Sequence, residues 1–446
     1  MTPSCEEGMS SGARAEYAAP EVTIRPEPSA WRSLVGKSAA DEQARQFRRE
    51  LGLPDDRPVI MSGHQAEVWH PGILAKLMAL GAAADVLGAA RAWVVVDHDE
   101  NDPLQVRAPY IGADGRLGVA TFEPAKAGEG VPACRRPAWA AREAWAFPSN
   151  SKEAAPGVLA GLARIREAFA RHARAGDAAS QATAAAFELA SEAGGSGLPV
   201  VVRATELSRT SLFGELVTKM RENPRACVEA HNAAVGAFPH ERIAPLGIDR
   251  ENFELPLWTI GGDMGSVRRK VFSAELSTLP MESLAPRALL LTGLMRLAGC
   301  ELFIHGLGGE RYDRITEVWL ERWLGKALAL TAMVTATLRV RTPGCWPTTE
   351  EIAHAAWAAH RAQHDPSMVN DAARAKEKAE LLERIRVSPR KSAERSELYR
   401  ALHAVLRDSR AEHEGALLKL EEQASAMQAR AGESAIASDR TWPFAL

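Results

Sequence analysis

Three short stretches bring together residue types that can do chemistry. The first is Ser62-Gly63-His64-Gln65, directly after the apolar run Val59–Met61. A glycine after a strand allows a tight turn and a close backbone approach to a ligand. His64 can donate to a carboxylate or phosphoryl oxygen, or move a proton near neutral pH. Gln65 can fix a polar substrate. His70 stands just before Pro71, where it touches the same ligand or only shapes the entry into a helix. The second stretch is Asp97-His98-Asp99-Glu100, which closes the apolar run Trp93–Val96. Four consecutive ionisable residues are costly to bury together. They read either as a charged strand-end turn or as groups that hold an amine, bind a metal ion or act as a base. The catalytic candidates are therefore His64, Asp97, His98 and Asp99. The third stretch is His305-Gly306-Leu307-Gly308-Gly309, after a short strand from Glu301 and before Arg311-Tyr312-Asp313. Its small residues would let backbone N–H groups cradle an anion. The expected substrate-binding set is Gly63, Gln65, His70, His305, Gly308, Gly309, Arg311, Tyr312 and Asp313.

Other signals are weaker. Gly261–Ser266, with Arg268, Arg269 and Lys270, is a secondary anion candidate. A metal site from His64, Asp97, Asp99 and His305 lacks a recognised ligand spacing, and no metal is assigned. The P-loop and dinucleotide glycine patterns are missing, as are GxSxG, HExxH and paired cysteines. No cofactor is named, and P-loop ATP hydrolysis and hydride transfer are disfavoured.

Each cluster needs elements to place it. Val59–Met61 and Trp93–Val96 read as strands, with a helix from Pro71 between them. Proline suits a first helical turn. The almost wholly apolar body of that helix implies burial against a sheet, and its free N–H groups suit an anion. Strand-end chemistry in a β-loop-α-β unit is what an open parallel sheet presents at its ligand-binding edge. The expected organisation is a flexible leader over 1–30, the first half of an α/β parallel-sheet core over 31–122 and an irregular and helical insertion over 123–196. The second half of the core follows over 197–330, then a helical module over 331–446. Residues 391–430 read as one helix of about ten turns. Its stripe of Leu398, Leu402, Val405 or Leu406, Leu417, Leu420 and Met427 would face another helix, within the chain or across a homodimer.

Composition bounds the rest. Of the 446 residues, 46% are hydrophobic and 25% charged, which is ordinary globular usage. A net charge of -3 argues against a general nucleic-acid binder. No apolar run long enough for a membrane span is visible, nor an apolar signal segment in the first 30 residues. Five scattered cysteines suggest reduced thiols and a cytoplasmic location.

The patches Val59-Ile60-Met61-Ser62-Gly63-His64-Gln65, Pro71-Gly72 and Lys76 resemble the V-x-T-G-Q-Q-A-G…G-P…K segment of the cysteine-adding enzymes of bacillithiol biosynthesis. Trp93–Asp99 resembles that family's W-x-x-x-E-D-H-D strand end, and Pro286-Arg287 with Gly308-Gly309-Glu310 resembles its later P-R…G-G-P-x-E region. His64 replaces a glutamine of the pattern, and Glu67 a glycine. The resemblance implies a Rossmann-like core with helical insertions and a coiled-coil-like module through which members dimerise. It implies that Gly63, His64 and Gln65 lie by the substrate, with His98 and Asp99 beside them and Gly308 and Gly309 at a ligand-binding edge. The expected function is a ligase-like or transferase-like enzyme, similar to those that join an amino acid to an amino sugar conjugate. Its partner would be a small anionic or amine substrate. The alternatives are a non-catalytic binding or scaffold protein and a metal-dependent hydrolase using the His/Asp cluster.

Overall fold

A computed structural model of the chain describes residues 21–35, 40–124, 128–140, 145, 147, 149, 151–154, 156–195, 197–338 and 347–446. The chain opens with strand β1 (Glu21–Arg25), helix α1 (Trp31–Val35) and helix α2 (Glu42–Glu50). Strand β2 (Val59–Gln65), helix α3 (Pro71–Leu87) and strand β3 (Ala90–Val96) follow. Helix α3 begins with Pro71 in its first turn and ends at Gly88, whose φ of 63° is one that glycine adopts freely. Strands β4 (Val106–Gly112), β5 (Leu117–Phe122) and β6 (Ser151–Glu153) form a small antiparallel sheet. Helices α4 (Pro156–Arg171) and α5 (Ala178–Glu192) pack on it. Strand β7 (Val200–Arg203) leads to helices α6 (Ser211–Glu222) and α7 (Pro224–Ala237). A second antiparallel sheet is built from β8 (Ile248–Asp249), β9 (Asn252–Ile260), β10 (Arg268–Phe272) and β11 (Leu284–Pro286). Helix α8 (Ala288–Leu294) runs into a π-helical turn at Met295–Gly299. Strand β12 (Leu302–His305), helix α9 (Leu307–Leu324) and strand β13 (Leu330–Thr337) complete the core. Helices α10 (Thr349–Ala362), α11 (Ala372–Val387), α12 (Ala393–Glu412), α13 (Glu414–Ala429) and α14 (Ala431–Ser438) end the chain.

The architecture is mixed α/β. The main sheet has the order β1-β13-β12-β2-β3-β7. All neighbours are parallel except β1, which pairs antiparallel with β13. From β2 the chain moves outward through β3 to β7, then returns to β2's other side for β12 and β13. The strand order therefore reverses between β2 and β12, and their carboxyl ends mark the switch-point crevice in which such sheets bind ligands. Alternation of side chains sorts the two faces. Met61, Ala92, Val94, Val202 and Phe303 pack beneath α2 and α6–α9. Ile60, Trp93, Val95, Leu302, Ile304 and Ala332 pack beneath α3 and α5. At the opposite end of the strands Glu301 accepts from Arg48 at 2.6 Å and from the Val59 N–H at 2.7 Å. This buried pair sets β12 against β2, with Leu302 opposite Ile60 and Ile304 opposite Ser62.

Several expectations change. Residues 21–25 of the expected leader are a sheet strand, because β13 would otherwise expose its outer edge; residues 1–20 lie outside the described set. Of the expected helical module, residues 339–346 lie outside the described set. The single helix expected over 391–430 is two helices that meet at His413. Most of its stripe is covered inside the chain: Leu398, Leu402 and Val405 pack on Leu381 and Ile385 of α11. Leu417 packs with Ala362 of α10 and with Val369. No helix among the described residues is long and apolar enough to cross a membrane.

Candidate functional site

Beside the switch point lies a buried aromatic cluster. Trp69, Trp93 and Phe187 meet with ring centroids 4.9, 5.0 and 5.9 Å apart. Such pairs add about 0.5–1.5 kcal/mol beyond the area they bury. They hold the corner after β2 from which His70 caps α3, its Nδ1 accepting from the Gly72 N–H at 3.1 Å. One turn further along α3 is Lys76, only 5% exposed. Its Nζ donates to the Gly63 carbonyl at 2.5 Å and lies 5.4 Å from the Trp93 ring centre. A Cβ added to Gly306, at the end of β12, would sit 3.9 Å from the Lys76 Cδ. The ammonium thus stands where the strand order reverses.

His64 and Glu67 join it. The His64 Nδ1 accepts from the Gln65 N–H at 2.7 Å, which places the ring proton on Nε2, 3.4 Å from the Glu67 carboxylate. The His64 and His70 rings meet edge-on at 6.3 Å. Burial, aided by the charge of Lys76, holds His64 well below its ordinary value, so it is a neutral Nε2 donor. Burial pushes Lys76 down to about 7 and Glu67 up to about 7. It also takes His70 down to about 4, with Arg440 and Lys76 contributing. A carboxyl and an amine poised near neutrality in one crevice suit proton transfer.

Gln65 and Asp99 extend the cluster. Gln65 Nε2 donates to Asp99 Oδ2 at 3.0 Å, and Arg268 donates to Oδ1 at 2.9 Å. Burial opposes the charge on Asp99, but these bonds outweigh it and hold the carboxyl below its usual range. Asp99 keeps about 30% of its side chain exposed and can meet a ligand.

Asp97 and His98 do not join. Asp97 is fully buried and accepts from Arg203 at 2.8 Å, from the Thr205 hydroxyl at 2.5 Å and from the Thr205 N–H at 3.0 Å. Its lone pairs are taken by the latch that joins β3 to β7. His98 bonds the Pro286 carbonyl at 2.7 Å and tethers β3 to β11. These two are corrected from acid–base candidates to groups that fix the strand ends. The two histidine turns do not converge either. In β12, Ile304 shares a face with α3, so alternation sends His305 through the opposite face beside Phe303. There His305 contacts Asp313, and Arg296 lies 3.0 Å from the same carboxylate oxygen. Gly308 and Gly309 belong to the first turn of α9 rather than to a loop. A Cβ at Gly309 would strike the His305 ring. Arg311 and Tyr312 face outward from α9. Likewise Gly63 is not a turn: it lies inside β2, where a Cβ would come within 2.3 Å of Val94. Among the described residues no three His, Cys, Asp or Glu side chains converge as metal ligands.

Lys76, Glu67, Thr335 and Arg440 are the residues missed as site members. A lone lysine in the apolar run of α3 was the available signal for Lys76. Nothing in the spacing ties Thr335 or Arg440 to residues near 70. No protein-family model matches the chain, and neither does any curated protein.

Proposed function

We propose that the chain is a ligase-like or transferase-like enzyme with a Rossmann-like core, which forms a carbon–nitrogen bond between an amino acid and an amine in the β2/β12 crevice. The observation that carries this reading is Lys76, a buried ammonium whose bond partner is a backbone carbonyl at the point where the strand order reverses. A cation there neutralises the anionic part of a substrate. Asp99 and Glu67 border the same crevice and suit an amine. In the reaction the amine nitrogen attacks the carbonyl carbon of a carboxyl donor that arrives already activated as a phosphoric anhydride. The C–N bond forms, the C–O bond to the phosphate leaving group breaks, and the proton shed by the amine passes to the Glu67 carboxylate. The Nε2–H of His64 orients the donor. The resemblance of residues 59–76 and 93–99 to cysteine-adding enzymes supports an amino acid as that donor.

The described cysteines Cys134, Cys227 and Cys300 are free, which suits a reducing cytoplasm. The reading does not depend on the dimer, since Leu398, Leu402, Val405 and Leu417 of the stripe are covered within the chain. The test is amide formation from activated amino acids and amino sugar conjugates. Lys76→Met and Glu67→Gln are each expected to lower kcat/KM by about 10²-fold or more. Undiminished turnover in both variants would sink the assignment, and tight binding by the wild type without turnover would make the chain a binding protein.

A further inference from the structure

The segment 439–446 is anchored as a strap over α4 and the Trp69 corner. Trp442 is almost wholly buried, with the Arg107 guanidinium 5.2 Å from its ring centre. The Phe444 N–H donates to the Trp69 carbonyl at 2.9 Å, at the corner that aims His70. The Ala445 carbonyl accepts from Arg164 at 2.6 Å. A Cβ on Gly161 of α4 would lie 2.4 Å from that carbonyl, so α4 dispenses with a side chain where the strap crosses it.

Just before its first anchor the strap carries Arg440. The guanidinium donates to the Thr335 hydroxyl of β13 at 2.8 Å. That hydroxyl would lie 2.9 Å from a Cβ at Gly72, in the first turn of α3. Asp439 is turned away, accepting from Thr441 and lying 3.8 Å from Arg107. Among the described residues no ion pair joins a carboxylate to Arg440 or to Lys76. Arg440 and Lys76 both act electrostatically on His70, and Asp439 acts on it with the opposite sign. Lys76 has the Glu67 carboxylate acting on it, whereas the half-buried guanidinium of Arg440 bonds only the Thr335 hydroxyl among the described residues and keeps donors for an anion.

We propose that Arg440, delivered by the strap, recognises the substrate directly, and that with Thr335, beside the first turn of α3, it binds an anionic oxygen group, carboxylate or phosphate. This rests on the crevice being the active site. It adds a specificity residue from the far end of the sequence. The planar fork of Arg440 suits two oxygens of one group.

Calorimetric titration of the full chain with inorganic phosphate, and separately with succinate, tests the assignment. One probe is expected to bind, and the tighter one identifies the anion as phosphate or carboxylate. Arg440→Ala should weaken that binding at least tenfold. Arg440→Lys should fall between, since an ammonium lacks the fork. Thr335→Val, which leaves the strap's sequence intact, should weaken it severalfold and guards against misfolding of the Arg440 variants. Equal affinity in wild type and Arg440→Ala, or no binding of either probe at millimolar concentration, overturns the proposal. Turnover that depends on Lys76 but not on Arg440 defeats this inference alone. Anion binding that depends on Arg440 in a chain without turnover defeats the enzymatic reading alone.

Discussion

Lys76 and Glu67 are displaced toward neutrality from opposite sides, and the signs differ. From pH 4.5 to about 7 an unfolded chain gives up the Glu67 proton while the folded chain keeps it, so stability falls as pH rises through that window. From about 7 to 10.5 the unfolded chain keeps the Lys76 proton that the folded chain has lost, so stability rises again. The pair's contribution is therefore lowest near pH 7, where an anion would relieve it. Urea unfolding against pH is expected to show the rise above pH 7 in the wild type and to lose it in Lys76→Met. That variant should also be more stable at pH 7, by about 1–3 kcal/mol, because an apolar side chain replaces a buried amine. A flat profile in the wild type would mean that Lys76 is solvated.

The helical module makes a different kind of claim. If α12 meets its partner inside the chain, truncating Leu402 should cost about 2–3 kcal/mol of stability and leave the mass in solution unchanged. Denaturation together with sedimentation of Leu402→Ala checks both, and a fall in mass would show that the stripe faces another copy. Most strands of the main sheet were legible in the sequence because each is a compact apolar run closed by polar residues. Strands β1 and β13 were not. Glu21–Arg25 alternates Val22 and Ile24 with polar residues for only five positions, too short a run to stand out until β13 supplies its pairing, and Leu330–Thr337 reads only as apolar chain. The site was legible in half. His64, Gln65 and Asp99 meet as their positions after β2 and β3 suggested. Asp97 and His305 have the right residue types, but Arg203 and Asp313 engage them, and those partners are set by tertiary contacts. Alternation within β12, counted against β2, is what separates His64 from His305. That count needs a register which no single strand contains.

At the scale of the whole molecule, the crevice depends on segments from both ends of the sequence. Removing the Trp442 ring should cost about 3–5 kcal/mol and, by loosening the Trp69 corner, raise KM for the anionic substrate more than it lowers kcat. Thermal melts and steady-state kinetics of Trp442→Ala test this, and an unchanged KM would mean that the strap only shields the core. The same strap bears on how the molecule is made. The hydroxyl of Ser62 donates to the carbonyl of Ile304, 242 residues later, and Arg440 comes later still. A nascent chain on the ribosome therefore exposes β2 and β3, apolar and edge-on, long before β12 is synthesised to cover them. The anion site can close only once residues 439–446 have left the exit tunnel. Nascent chains that stop short of β12 and of residues 439–446 would thus be inert and sticky, and dependent on holding factors until those segments emerge.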